Sequence, residues 1–185
     1  MLVEHERWPP VYDDNDLAET IKLLATYECF EKVFYEGGRK EVPFCQGDVI
    51  TLPVQDAGIP YLNDDGQPAA DDAPPYWLIV GNTCDLSREA WTQLLPIYGF
   101  DDLSDVELDA LRRYKYSRRF YLPAWKLEGV RFRYLIADFM RPVAIKKNGL
   151  ANFSNVEARL SRYGWLLLHA CLVRFLARDD GRCDR

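Results

Sequence analysis

Apolar positions recur at three- and four-residue spacing near both ends of the chain, and alternate or run together between them. Leu17, Ile21, Leu24, Ala25, Phe30 and Phe34, with Gly37-Gly38 as a stop, predict a helix over about 16–35. Its later Tyr- and Phe-rich turns read alternatively as a strand. The run Gly47 to Val54 alternates and is β-branched, and Tyr76 to Gly81 is continuously apolar, so each predicts a strand. Between them, Gln55 to Pro75 is rich in Asp, Ala, Pro and Gly and reads as a long loop. Thr92 to Phe100, Phe120 to Pro123, Phe132 to Phe139 and Val143 to Lys146 predict the remaining strands.

Two helix starts carry a capping signature. Ser104 with Glu107 predicts a helix through about Tyr116, with Asp101, Asp102 and Asp105 at its positive end and Arg112, Arg113 and Lys115 at its negative end. Ser154 with Glu157 predicts the start of a long terminal helix to about Arg178. Its buried stripe would be Val156, Leu160, Tyr163, Leu167, Cys171, Leu172, Phe175 and Leu176. The whole reads as an irregular arm over 1–15 followed by a single α+β domain over 16–185, with a helical insertion near 101–118.

Composition supports one folded core: 185 residues, 48% hydrophobic and 14% aromatic, are neither a stapled miniprotein nor a disordered chain. The net charge of −6 conceals an asymmetry. Residues 1–110 carry 6 Lys+Arg against 23 Asp+Glu (−17), and residues 111–185 carry 17 against 6 (+11). These halves either neutralise one another inside one globule or present opposite faces to different partners. Met1 to Pro10 is charged and ends in two prolines, which argues against a signal peptide and makes a cytoplasmic location the expectation. The longest apolar stretch, Trp165 to Leu176, is broken by His169 and Arg174, so no membrane association is expected.

Candidate chemistry is sparse. Cys29, Cys45, Cys84, Cys171 and Cys183 form no C-x-x-C pair and read as reduced thiols. The two histidines, His5 and His169, have no partner at metal-ligand spacing. No metal and no cofactor is expected; Asp64, Asp65, Asp71 and Asp72 read as a solvated loop rather than a cation site. His169 reads as a packed helix residue. In Gly81-Asn82-Thr83-Cys84-Asp85-Leu86-Ser87 a thiol and a carboxylate follow a strand end. Cys84 and Asp85 are the only catalytic candidates, against the alternative that Asn82, Cys84 and Asp85 simply build a turn. Arg112, Arg113, Lys115, Arg118 and Arg119 interleave with Tyr114, Tyr116, Phe120 and Tyr121. That mixture suits single-stranded nucleic acid, with cations for phosphates and rings for bases. Arg131, Arg133, Arg141, Lys146 and Lys147 extend the charge. Phosphate-loop, dinucleotide and nucleophile-elbow motifs are absent from the sequence.

The order of elements resembles the MazF/PemK family of toxin endoribonucleases. The similar pieces are Gln46-Gly47-Asp48-Val49-Ile50, Pro75 to Asn82, Leu95-Pro96-Ile97, Ile136 to Val143 and the terminal helix, spanning about 46–178. The likeness is nearer to bacterial members with a Cys-Asp-Leu turn (Cys84-Asp85-Leu86), a Phe-x-Leu-Pro segment (Phe120 to Pro123) and an Arg-Leu-Ser helix start (Arg159-Leu160-Ser161). It implies a small, strongly bent SH3-like β-barrel carrying an N-terminal and a long C-terminal helix. The toxins' Arg before the second strand falls here in Asp72-Ala73-Pro74-Pro75, and their Thr or Ser closing the third falls in Pro96-Ile97-Tyr98-Gly99. Neither residue is present. The expectation is therefore a degenerate, non-catalytic module binding RNA or a partner protein in a bacterial toxin-antitoxin or phage-defence setting, with a homodimer possible. An active endoribonuclease and a cysteine enzyme at Cys84 are the alternatives.

Overall fold

The computed structural model describes residues 14–25, 33–36, 44–53, 74, 76–82, 88–123, 133–153 and 155–177. In chain order these form α1 (Asp14–Ala25), β1 (Asp48–Thr51), β2 (Tyr76–Ile79), β3 (Trp91–Phe100) and α2 (Asp105–Arg112). There follow β4 (Arg119–Leu122), β5 (Tyr134–Asp138), β6 (Val143–Lys146), α3 (Lys147–Phe153), β7 (Asn155–Arg159) and α4 (Arg162–Ala177).

All seven strands join one antiparallel sheet in the order β4-β5-β3-β2-β1-β7, with β6 also on β3. The long β3 organises it. One edge of β3 takes β6 along Trp91 to Leu94 and then β5 along Ile97 to Phe100. The other edge takes β2 along Leu94 to Ile97, where Pro96, which has no N–H to give, faces Trp77. Among the described residues the sheet is not closed: β4 and β7 are its two ends.

Period-2 alternation sorts the strands onto two faces. Val49, Leu78, Leu95, Ile97, Phe120, Leu122, Leu135, Ala137 and Ala158 join one core, capped by Leu167, Leu168, Ala170 and Cys171 of α4 and by Ile21 of α1. Ile50, Trp77, Ile79, Leu94 and Ile145 join a second, closed by Leu52 and by Leu150 of α3. Burial on both faces is why Tyr76 to Val80 is an uninterrupted apolar run.

Three expectations are corrected. The helix over 16–35 does not reach Tyr35: residues 26–32 lie outside the described set, and Tyr35 pairs with Leu160 in an isolated antiparallel bridge. Val33 is still helical, whereas Phe34 lies at a bend, fully buried beside Phe120 with its carbonyl accepting from Ser161 N–H, so among the described residues the departure from the expected helix is at Phe34 and Tyr35. The second correction concerns the terminal helix: Glu157, expected in its first turn, lies in a strand, and Ser154 is outside the described residues. Asn155–Arg159 is a strand on β1, and Glu157 Oε1 accepts instead from Thr51 Oγ1 at 3.2 Å. The helix starts at Arg162, where Ser161 Oγ accepts from Gly164 N–H at 3.2 Å and donates to the Val33 carbonyl. Third, α2 ends at Arg112 rather than Tyr116, because Tyr114 adopts a left-handed φ of 51° and turns the chain toward β4. The short α3 lies where no helix was expected.

Gly164 gives a signed prediction. A helix interior favours alanine over glycine by about 1 kcal/mol. Here, though, a Cβ would lie 2.5 Å from the Phe34 carbonyl oxygen, backbone that cannot swing aside. Gly164→Ala should therefore destabilise the fold by about 1–3 kcal/mol, as other overpacked positions do. Urea denaturation reads the sign directly, and a more stable variant would overturn this account of the helix start.

Candidate nucleic-acid interface

The cations proposed for nucleic acid occupy the end of α2 and the turn into β4. The capping box that launches α2 is complete: Ser104 Oγ accepts from Glu107 N–H at 3.3 Å, and Glu107 Oε2 accepts from Ser104 N–H at 3.1 Å. The Ser104 hydrogen bonds hold the Glu107 carboxyl below its usual range. Leu111 is buried and Leu108 packs against the same core, which turns Asp109, Arg112 and Arg113 outward. At the left-handed turn the Tyr114 phenol is buried and donates to the Tyr121 carbonyl at 2.8 Å; burial pushes its pKa well above the ordinary value. This anchor fixes the direction in which Lys115 to Arg119 leave the helix.

All five cations, Arg112, Arg113, Lys115, Arg118 and Arg119, are exposed. Asp109 takes Arg113 Nε at 2.8 Å and Lys115 Nζ at 3.9 Å, exposed pairs worth only about 0–1 kcal/mol and easily exchanged for phosphate. The Arg119 guanidinium lies 5.6 Å from the centroid of the Tyr116 ring. Of the four interleaved aromatics only Tyr116, 39% exposed, is available to stack on a base; Tyr114, Phe120 and Tyr121 are core. Three further cation–ring pairs lie on the sheet: Arg133 on Tyr134, Arg141 on Tyr98 and Lys146 on the half-exposed Trp91.

The turn candidates divide. Asn82 is exposed just beyond β2, whereas Cys84 and Asp85 lie outside the described residues, as do Asp64, Asp65, Asp71 and Asp72. Of the described thiols, Cys45 is raised mainly by burial, and burial pushes Cys171 up to about 12, so neither is a thiolate at neutral pH. Among the described residues no group of three His, Cys, Asp or Glu is placed to hold a metal, and no helix is long and apolar enough to cross a membrane.

Sequence reasoning missed a polar cluster at the other end of the sheet. Gln46 Nε2 donates to the Val80 carbonyl at 2.8 Å, which makes its Oε1 the acceptor. Trp165 Nε1–H donates to that oxygen at 3.0 Å and His169 Nε2 meets it at 2.8 Å, the two rings lying 4.0 Å apart. The His169 proton therefore resides on Nε2. The signal was the i, i+4 spacing of Trp165 and His169, but Gln46 is far away in sequence. Burial lowers the His169 pKa. An unfolded chain takes up a proton near pH 6.5 that folded His169 resists, so stability should fall as pH drops below about 6.5. Urea midpoints at pH 7.5 and 5.5 should converge in His169→Gln; an unchanged pH difference would exclude this histidine as a source.

Among the described residues, a cavity of about 330 Å³ is lined in part by two of the five cations, Arg113 and Lys115. Its lining is Ala18, Ile21, Lys22 and Ala25 of α1, Arg113, Tyr114 and Lys115 of the α2–β4 turn, and Arg174 of α4. Arg174 Nη2 donates to the Tyr114 carbonyl, while its Nε–H is buried with no acceptor, a donor that costs about 1–3 kcal/mol when left unsatisfied.

Compared with known proteins, the chain matches no family model and no curated protein.

Proposed function

We propose that this chain is a toxin-like module with a small SH3-like barrel of the MazF/PemK kind, and that it binds single-stranded RNA without cleaving it in a bacterial toxin-antitoxin or phage-defence setting. The observation that carries this reading is the unbroken exposure of Arg112, Arg113, Lys115, Arg118 and Arg119 beside an exposed Tyr116, in a chain of net charge −6. Among the described residues Arg113 and Lys115 pair with Asp109, one turn away on the same helix, and Arg119 lies near Glu107, so these contacts to acidic groups are local and exposed. The barrel assignment draws support from the long β3 with β2 on one edge and β5 and β6 in succession on the other. The non-cleaving reading draws support from the third strand, where Pro96 and Ile97 are buried and Tyr98 Oη accepts from Arg141 at 3.3 Å. None of these supplies a base for a ribose 2′-hydroxyl.

The test is fluorescence anisotropy with a labelled single-stranded RNA at low salt, with gel analysis of the same strand. Binding without shortening of the RNA is expected, and Arg118→Glu with Arg119→Glu should weaken it by at least tenfold. Loss of that effect, or specific cleavage removed by a point substitution, would overturn the reading and favour a partner protein or an active endoribonuclease respectively.

A further inference from the structure

The cavity between α1, α4 and the α2–β4 turn is lined by both cationic and apolar residues. Its described lining holds four cations, Lys22, Arg113, Lys115 and Arg174, drawn from three separate elements, and no carboxylate. Ala18, Ile21, Ala25 and the buried Tyr114 make the rest, and a volume of about 330 Å³ falls at the lower end of the roughly 300–1,000 Å³ typical of small-ligand sites. Arg174 is already oriented, because the left-handed turn at Tyr114 presents its carbonyl to one end of the guanidinium. The Nε–H of the same fork lacks an acceptor, which an anion oxygen would supply after a modest turn of the side chain. Among the described residues, Glu19 beside Lys22 and Asp109 beside Arg113 and Lys115 are exposed, exchangeable partners.

We propose that this cavity receives a nucleotide phosphomonoester, either a free mononucleotide or the phosphorylated end of an RNA strand lying on the adjacent cations. A phosphomonoester brings close to two negative charges and three acceptor oxygens, which match a cavity lined by four cations better than the single charge of a carboxylate. The nucleobase or ribose supplies the body that the apolar lining would cover. Arg113 and Lys115 belong both to the lining and to the exposed strip, so a strand tracking that strip ends at the cavity. The strand-end source rests on the RNA-binding reading above; the free-nucleotide source does not.

Four probes decide it: one RNA decamer unphosphorylated, 5′-phosphorylated and 3′-phosphorylated, and free AMP. One phosphorylated decamer should bind at least tenfold more tightly than the unphosphorylated strand, and AMP should compete with that increment only. Lys22→Glu, on the exposed face of α1, and Arg174→Met, checked for an unchanged melting temperature, should each erase the increment and the AMP binding while leaving the unphosphorylated strand within twofold. Equal binding of all three strands with no AMP binding overturns the proposal, as does AMP binding indifferent to Lys22→Glu. AMP binding that Lys22→Glu removes, in a protein that binds none of the strands, upholds the cavity and overturns the RNA-binding module.

Discussion

Arg159→Met should cost the fold about 3–5 kcal/mol, a large share of the roughly 5–15 kcal/mol by which a domain of this size is stable. Asp48 is fully buried, and Arg159 grips it from the far strand with two hydrogen bonds, Nε to Oδ1 at 2.6 Å and Nη2 to Oδ2 at 2.9 Å. Donating to the Asp48 carboxylate raises the Arg159 pKa above its ordinary value. Removing the guanidinium strands a buried carboxylate that only Cys45 N–H, at 2.8 Å, continues to serve. Asp48→Leu combined with Arg159→Met should recover much of the loss, leaving the Cys45 N–H as the residual cost. Chemical denaturation of the two variants measures both effects; a single variant within 1 kcal/mol of the parent protein would show the pair to be dispensable.

Salt should weaken RNA binding about a hundredfold between 50 and 200 mM. Five neutralised phosphates at about −0.7 each give a slope near −3.5 in log affinity against log salt, and the fourfold change in salt spans about 0.6 log units. Arg118→Glu with Arg119→Glu should flatten that slope to about −2, since three cations remain. The geometry favours these two positions because neither side chain is engaged with Asp109, unlike Arg113 and Lys115. A slope unchanged by the double reversal would place the phosphates elsewhere on the surface.

Local patterns were legible and long-range partnerships were not. Tyr76 to Ile79, Trp91 to Phe100 and Val143 to Lys146 appear as strands within a residue or two of their expected limits, and the Ser104 capping box is present, because each depends on neighbours in sequence. The Ser154 signature failed for the opposite reason: β7 is a strand because β1, over 100 residues earlier, offers it an edge, and no local pattern encodes that edge. Exposure of the five cations could be read from their density, but the assignment of aromatics to bases could not. β4 buries Phe120, Tyr121 and Leu122 on both of its faces, so alternation gave no hint of which ring was free. Gln46 and His169 are 123 positions apart, and each alone reads as an ordinary polar residue.

The motif residues Asp48, Arg159, Leu160 and Ser161 meet at one seam, where β7 closes on β1, Tyr35 bridges Leu160 and α4 begins. On a ribosome, β1 would emerge long before its partner. Until the last quarter of the chain is made, the outer edge of β1 has no strand to pair with, Asp48 has no counter-ion, and α4 is not there to roof the larger core. Closure of such distant contacts is slow, and a chain waiting for it exposes an apolar sheet edge. Productive folding should therefore wait for β7 and α4, with protection of β1 amides from hydrogen exchange appearing together with that of α4 rather than with β2 and β3.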